Sequence, residues 1–285
     1  MSQSVLITGC SAGGIGESLA KEFHSKGFQV FASARTLTSM EGLTSLPSIK
    51  LLVLDVTDLN SIRAAKQQII ELNGNKLDVL VNNAGVAYPF ALMDASLDKV
   101  KEVFDVNVFG QVAMVQEFVP LLLASDDARI VQIGSLASIA PVPFGFAYNA
   151  SKAALNAMSD TLRIELAPFN IRVLHVVLGN VQSNITKPWI VMPDNSLYQP
   201  IKEEYQRNRI DNYQNAAVPR DPVARNIVAE VLKAHPRAWL WDGANAWMVW
   251  IVNTFLKRTT FDAMFSRRFG LSKLADLRRN DKKLV

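Results

Sequence analysis

Val5-Leu6-Ile7-Thr8-Gly9-Cys10-Ser11-Ala12-Gly13-Gly14-Ile15-Gly16 decides how this chain is read. Its first part is a short apolar run suited to a buried strand, and its second is a glycine cluster opening onto a helix. Behind the cluster Ile15, Leu19 and Phe23 recur every four residues, with Glu17, Lys21 and Glu22 on the other side, the pattern of an amphipathic helix. Glycines let backbone N–H groups approach a pyrophosphate closely, and the helix N-terminus behind them favours its negative charge. A glycine cluster alone is a weak signal; its place between a strand and an amphipathic helix strengthens it considerably. Gly9, Ser11, Gly14, Ile15 and Gly16 are the candidate phosphate-binding residues of this turn.

Outward from the turn, short apolar runs alternate with helical segments. Strands are expected at Val5–Ile7, Phe28–Ser33, Lys50–Leu54, Leu77–Val81, Arg129–Ile133 and Ile171–Leu178. A strand-then-helix rhythm implies parallel strands joined by right-handed crossovers, so the fold class is α/β: a doubly wound, Rossmann-like parallel sheet with helices on both faces. Of 285 residues, 49% are apolar and 20% charged, enough to bury a core and too apolar for a disordered chain. The single cysteine, Cys10, excludes a disulfide scaffold and suits a reducing compartment. The net charge of +4 is unevenly placed: residues 237–285 hold ten Lys/Arg against four Asp, and the first 236 hold twenty basic against twenty-two acidic residues. The excess belongs to the tail, which argues against a nucleic-acid-binding domain.

Residues 1–236 are therefore expected to form a catalytic, nucleotide-binding domain. Within it, 183–220 turns irregular and polar, with prolines at 188, 193, 200 and 219, and is expected to be a substrate lid. Asp221-Pro222 reads as an N-cap with proline at the first helical position. Residues 237–285 form a hydrophobic, basic extension in which four of the five tryptophans fall within twelve residues. Ser4-Val5-Leu6-Ile7 is too short for a signal-peptide core of about 7–15 apolar residues, so no cleaved leader is expected. No run of about 20 apolar residues is present, so no simple membrane-spanning helix is expected either.

The cofactor is specified at the end of the second strand. An NAD site places Asp or Glu there, about 20 residues on, to bind the ribose 2′-hydroxyl. This chain has Ala32-Ser33-Ala34-Arg35-Thr36 and no acid until Glu41. A guanidinium grips a 2′-phosphate bidentately, so Arg35 argues for NADP(H). Further on, Tyr148-Asn149-Ala150-Ser151-Lys152 sets a phenol and an ammonium four apart on one helix face. The ammonium favours the phenolate and lowers a pKa that is otherwise about 10. Thirteen residues upstream Ser135 follows a strand, where its hydroxyl can hold a substrate oxygen against Tyr148. Each piece alone is common; their joint occurrence in register with the glycine turn is specific.

In these residues, and in Asp55, Asn82-Asn83-Ala84-Gly85 and Asn107, the chain resembles the short-chain dehydrogenase/reductase family over about residues 4–235. The resemblance implies that Asp55 contacts the adenine and that Asn83 supports the strand beside the cofactor. It implies that Lys152 binds the nicotinamide ribose and lowers the Tyr148 pKa, and that Asn107 holds a water relaying protons from Lys152. Ser135 would then orient a carbonyl and Tyr148 would protonate it. Two departures stand out. The glycine turn is one residue longer than the family's, so it must bulge. The family's Pro-Gly-x-Val-x-Thr becomes Leu178-Gly179-Asn180-Val181-Gln182-Ser183, in which Val181 and Ser183 can still meet the carboxamide while the turn should loosen.

The three histidines, 24, 175 and 235, have no metal-site spacing, so no metal is expected. Cys10 lies in the turn without the marks of a nucleophile. In the tail, Trp247, Ile251 and Phe255 share a helical face beside Trp250, and Lys257-Arg258 and Arg267-Arg268 follow. This suits a helix lying on an anionic membrane surface; a dimer interface or packing over the open sheet edge is the alternative. Within the family, Phe31 to Arg35, Asn107 to Gly110, Gly134 to Ala137 and Pro143 to Gly145 resemble the NADPH-dependent 1-acyldihydroxyacetone-phosphate reductases. That resemblance implies a lipid ketone substrate and a location at the endoplasmic-reticulum or lipid-droplet surface, with a cytoplasmic one as the alternative. A membrane-seated enzyme would draw an acyl-chain substrate directly from lipid, with Ile190-Val191-Met192 expected to line its route. Lys187, Lys202, Arg207, Arg209 and Arg220 are the cations available for a substrate phosphate. Alternatives are a steroid-like or secondary-metabolite ketone, and a non-catalytic NADP(H)-sensing membrane adaptor, against which the intact Ser135, Tyr148 and Lys152 speak. The family resemblance further implies a homodimer or homotetramer.

Overall fold

In the computed structural model, which describes residues 2–185, 191–211, 215–257 and 259–281, the glycine turn joins strand β1 (Ser4–Thr8) to helix α1 (Ile15–Ser25). Strands β2 (Gln29–Ala34), β3 (Ile49–Val53), β4 (Val79–Asn82), β5 (Arg129–Ile133), β6 (Arg172–Leu178) and β7 (Trp239–Asp242) complete one parallel sheet. Their order is β3-β2-β1-β4-β5-β6-β7. The direction of winding reverses between β1 and β4, and ligands of such sheets bind at the carboxyl edge of that switch point. The glycine turn lies there, so the doubly wound reading holds.

Alternation along each strand feeds two cores. Val5, Ile7, Val79, Val81 and Val131 face one side, with Leu19, Ala20 and Phe23 of α1 and with Val223, Ile227 and Val228 of a later helix, Arg220–Val231. Leu6, Leu80, Ile130 and Val173 face the other, against α2 (Leu59–Asn73) and α4 (Gly110–Leu122). Each fully buried aliphatic or aromatic side chain contributes roughly 1.5–3 kcal/mol, which fixes strand register, because a one-residue slip would expose the whole set. Helix α3 (Leu97–Phe104) runs into α4 through a π-helical turn, Asp105–Phe109. Helix α5 (Phe146–Leu166) crosses behind β5 and β6.

The region expected to be a lid is built, not structureless. It contains the short helix α6 (Lys202–Tyr205), and Tyr205 is fully buried with its hydroxyl donating to Pro89 O at 2.7 Å. Phe144 packs edge-on against Tyr198 and Tyr205 and near Phe269, so lid, core and tail meet at one ring. Helix α7 (Arg220–Val231) begins before the expected cap: Pro219 is its N-cap, and the Asp221 carboxylate instead accepts from Ser18 Oγ at 2.6 Å.

The sheet does not stop at residue 236. Trp239-Leu240-Trp241-Asp242 adds β7 parallel to β6, a four-residue edge strand whose tryptophans read in the sequence as an interfacial cluster. Trp239 packs on His175 with ring centroids 4.8 Å apart, and Trp241 stacks beside it. Beyond it, α8 (Ala246–Phe255), α9 (Thr260–Arg268) and α10 (Leu271–Asp281) return along the lid. Val249, Val252 and Phe261 bury against Ile139, Ala140 and Val177, and Phe269 joins the lid core. A chain ended at residue 236 is therefore expected to lose about 3–5 kcal/mol or more, the cost of deleting one large buried aromatic. Urea unfolding followed by circular dichroism checks this, and an unchanged midpoint would show the tail to be an appendage.

Candidate active site

The glycine turn is held by both neighbouring strands. Asn83 Nδ2 donates to Thr8 O (2.7 Å) and Gly9 O (3.0 Å), and Thr8 Oγ1 accepts from the N–H groups of Asn83 and Ala84. Gly16 permits the approach of α1: a Cβ there would lie 2.4 Å from Gly9 O. The extra residue is accommodated at Gly13, in the left-handed region at φ +77°, whose N–H donates to Glu17 Oε2 at 2.7 Å. Ala12 donates its N–H to Ser39 O, and Ala12 O accepts from Asn184 Nδ2. Lys21 and Arg220 flank the Glu17 carboxylate, which they and the Gly13 N–H hold below the usual carboxylate range against the opposing effect of its burial. Sequence reading did not find Glu17, Ser39, Asn184 or Arg220 here; only the spatial return of the lid brings the last two in.

Arg35 is exposed at the end of β2, beside a hydroxyl cluster in which Ser39 Oγ donates to Thr36 O and contacts Ser11 Oγ at 3.3 Å. Asp55 follows β3, its Oδ1 accepting from the N–H and hydroxyl of Thr57. The turn after β6 is not loosened by its missing proline. Gly179 donates to Asp242 O, Val218 to Asn180 O and Gln182 to Val218 O, which pins Val181 and its neighbours, Ser183 among them, beside β7. A Cβ at Gly179 would lie 2.0 Å from Ala244 O.

Lys152 is fully buried on α5, 3% exposed, with its Nζ donating to Ile133 O at 2.7 Å and lying 5.9 Å from the centroid of the Tyr148 ring. Burial lowers its pKa to about 8. Gly85 separates it from Asn107: a Cβ on that glycine would lie 3.3 Å from Asn107 Oδ1 and 3.6 Å from Lys152 Nζ. Asn107 sits in the π turn, a feature common at functional sites. Its Oδ1 accepts from Val86 N, and its Nδ2 donates to Val86 O and Ser151 Oγ. Both amide hydrogens are thus committed, leaving the second lone pair of Oδ1 for any relay water. Ser135 caps a 3-10 turn after β5, its Oγ accepting from Ala137 N. Ser135, Tyr148, Lys152 and Asn107 therefore come from three successive segments around the carboxyl edge of β5. This arrangement can polarise and protonate a carbonyl oxygen next to a dinucleotide seated on the glycine turn.

A separate surface depression of about 270 Å³ lies at the opposite end of the sheet, lined by residues including Arg163, Arg172 and His235, and contains none of these groups. No cluster able to hold a metal ion occurs among the described residues.

The short chain dehydrogenase family model matches residues 3–192. The chain belongs to this family. Short-chain dehydrogenase srdE of Neurospora crassa is 40% identical over 273 residues, 95% of this chain and 93% of that protein. The NADPH-dependent 1-acyldihydroxyacetone phosphate reductase of Schizosaccharomyces pombe is 41% identical over 254 residues, 84% of this chain and 85% of that protein. The crystal structure of a short-chain dehydrogenase from Streptomyces avermitilis shares the fold with a TM-score of 0.78, at 24% identity and 98% coverage of both chains. This short-chain dehydrogenase is an oxidoreductase that takes a nicotinamide cofactor, and its turn fits one: a Cβ at Gly9, Gly14 or Gly16 would meet neighbouring backbone at 3.0 Å or less, so glycines let the turn close tightly onto the start of α1 at the switch point.

Lys152 gives the free enzyme a pH signature. Its ammonium is lost as pH rises through about 8, so kcat/KM for carbonyl reduction is expected to fall above that pH. A pH–rate profile flat to pH 10 would show that the Lys152 charge does not serve the reaction.

Proposed function

We propose that this short-chain dehydrogenase uses NADPH to reduce a lipid-like ketone to a secondary alcohol, with 1-acyldihydroxyacetone phosphate as substrate and 1-acylglycerol 3-phosphate as product. The observation that carries the chemistry is the buried Lys152 ammonium beside Tyr148 on one face of α5. Ser135 holds the carbonyl oxygen, and Tyr148 gives it the phenol proton, the phenolate being stabilised by Lys152. Bound NADPH supplies the hydride that reaches the carbonyl carbon. Arg35, with the hydroxyls of Ser11 and Ser39 near it and no carboxylate at the end of β2, supports NADPH over NADH. Gly9, Ser11, Gly14, Ile15, Gly16, Asp55, Asn83, Val181 and Ser183 line the same dinucleotide site in this reading.

Among the cations noted for a substrate phosphate, Lys187 lies outside the described residues and Arg220 serves Glu17 and the glycine turn. Lys202 and Arg207 are exposed. Arg209 stands apart: its Nε donates to Phe144 O at 3.1 Å, and its guanidinium lies over Gly145, three residues before Tyr148. A lid cation there can meet a substrate phosphate, and the 41% identity to a reductase of that phosphate-bearing lipid favours the same class. Of the expected apolar route, Val191 is exposed and Met192 buried in the lid core, while Ile190 lies outside the described residues.

The decisive assay compares NADPH with NADH, and 1-acyldihydroxyacetone phosphate with a neutral ketone. NADPH and the phospholipid ketone are expected to be preferred. Arg209→Ala is expected to raise KM for the phosphate substrate about tenfold or more, the loss of a charge-assisted hydrogen bond, and to change that for the neutral ketone far less, by no more than the lost tie to Phe144 O costs. Equal effects on both would favour a neutral secondary-metabolite ketone.

The tail supports a membrane-surface reading. No helix among the described residues is long and apolar enough to cross a membrane. Yet on α8 Trp247 and Phe255 are each 70% exposed and Trp250 is 42% exposed, beside Ile251 and Leu256 and followed by Lys257. Arg267 and Arg268 close α9, and Arg258 lies outside the described residues. Each basic residue near an anionic bilayer adds about 1 kcal/mol to apolar insertion. The triple variant Trp247→Ala, Trp250→Ala, Phe255→Ala is expected to lose flotation with phosphatidylserine vesicles while keeping activity on a soluble ketone. If it instead changed the oligomeric state, the face would be a subunit interface.

A further inference from the structure

His175 is a buried titratable group that the proposed chemistry leaves unused. It lies on β6 in register with Gln132 on β5, and Gln132 is in register with Asn82 on β4. The three share the sheet face covered by α4 and α5, and none is more than 1% exposed. One pair nearer the start of these strands, Leu80, Ile130 and Val173 fill the same face with apolar surface. Asn82 and Gln132 have no hydrogen-bond partner for their side-chain amides, and neither does Nε2 of His175. Asn82, Gln132 and His175 thus form a polar seam in register across three strands, buried beside apolar neighbours.

The imidazole tautomer follows from its neighbour. Ser159 has one hydroxyl hydrogen, and it goes to Leu155 O at 2.7 Å. Ser159 Oγ lies 3.0 Å from His175 Nδ1, so it accepts there and Nδ1 carries the ring proton. Nε2 is then a bare acceptor. It lies against Gly134, where a Cβ would be 2.4 Å away, so any other residue would drive the ring aside. The Ile133–Gly134 peptide that the ring abuts is the one whose carbonyl receives Lys152 Nζ, and Ser135 is the next residue. One peptide unit is thus gripped by Lys152 and backed by His175.

We propose that His175 is a positioning residue for Lys152: its neutral, Nδ1-protonated ring presents Nε2 to the seam of Gln132 and Asn82, and this acceptor face holds the Lys152 ammonium in its charged form. The proposal rests on Lys152 being the cation of the reading above. The ionisable groups facing the ring are Lys152 and Asp160, both on α5. From β5 and β7 come Gln132, Gly134 and Trp239, none of which titrates near neutrality. Burial, and then the Lys152 charge, push the His175 pKa down to about 4, while Asp160 pulls it the other way. The ring therefore stays neutral wherever Lys152 titrates. Its lone pair acts as a fixed dipole toward a cation whose ammonium donates to Ile133 O, the carbonyl of the peptide that the ring backs.

The test reads the lysine directly, in the full chain with 13C-labelled lysine, assigning Lys152 Cε by its loss in Lys152→Arg. His175→Leu is expected to lower the Lys152 titration midpoint by at least half a pH unit, about a threefold change in its proton affinity. His175→Gln, whose amide reaches the Nε2 position, is expected to restore it. An unmoved midpoint in a natively folded His175→Leu protein overturns the proposal. Should that variant fail to fold, 15N shifts of the imidazole in the unaltered protein decide. A protonated Nδ1 and bare Nε2 from pH 6 to 9 support the proposal, and a protonated Nε2 overturns it. Neither readout needs turnover, so a protein that reduces no ketone would defeat the proposed function without deciding this point.

Discussion

A buried ammonium is the constraint around which this site is arranged. Lys152 has lost nearly all its water and has Ile133 O as its hydrogen-bond acceptor within the protein. Transferring a cation from water into the interior is costly unless polar groups replace the lost hydration, and the cost appears as a depressed pKa. The polar groups that stand near it are the Ile133 carbonyl and, across Gly85, the Asn107 amide. Tyr148 shares the helix face, its ring centroid 5.9 Å from the ammonium, without being buried itself.

That arrangement is possible because strand ends and helix starts are tied together by side chains in place of regular backbone pairing. Asn83 binds the carbonyls of Thr8 and Gly9, Asn107 closes on both backbone groups of Val86, and Asn149 Nδ2 donates to Val142 O. At a switch point the connections leaving the paired strands β1 and β4 run in opposite directions, so the backbone groups just beyond the last strand pair need side-chain partners. Asparagine can donate and accept at once, which makes it the economical filler for such a gap. The same logic explains the longer glycine turn. An additional residue adds one more N–H and carbonyl to satisfy, and Glu17, Ser39, Asn184 and Arg220 supply the partners.

The sequence made the sheet, its winding and the position of the glycine turn legible, because each depends on short-range periodicity. Strand β7 was not legible. Four residues with two tryptophans carry no alternation long enough to read, and edge strands tolerate the mixed exposure seen at Trp239 and Trp241. The helix start at Arg220 was misread for a related reason. Asp221 has the composition of a cap, but its carboxylate is drawn to Ser18, 203 residues away, which no local pattern encodes. Nor could the turn after β6 be judged locally: proline was missed from it as a stiffener, while Val218 and Asp242 supply the stiffness through hydrogen bonds. His175, set aside for lack of metal spacing, gains its meaning only from register with Gln132 and from Gly134.

Lid and tail are one mechanical unit, which bears on how a large substrate could enter. Tyr205 fixes α6 to Pro89, Phe144 anchors Tyr198 and Tyr205, and Phe269 closes the same cluster from the tail. Lys273 pairs with Glu204, and Asn208 Nδ2 donates to Arg268 O, adding polar ties at the rim. Phe144 itself sits at φ +58°, a conformation that costs a non-glycine residue energy and persists only when its surroundings hold it. Those surroundings are the rings of Tyr198, Tyr205 and Phe269 and the Arg209 side chain, whose Nε donates to Phe144 O. Phe144 and Gly145 lead directly into α5, so displacement of the lid would release the residue that sets the start of the helix bearing Tyr148 and Lys152. The packing of residues 198–205 and the start of α5 are therefore linked through a single strained residue, and the tail, through Phe269, takes part in that packing.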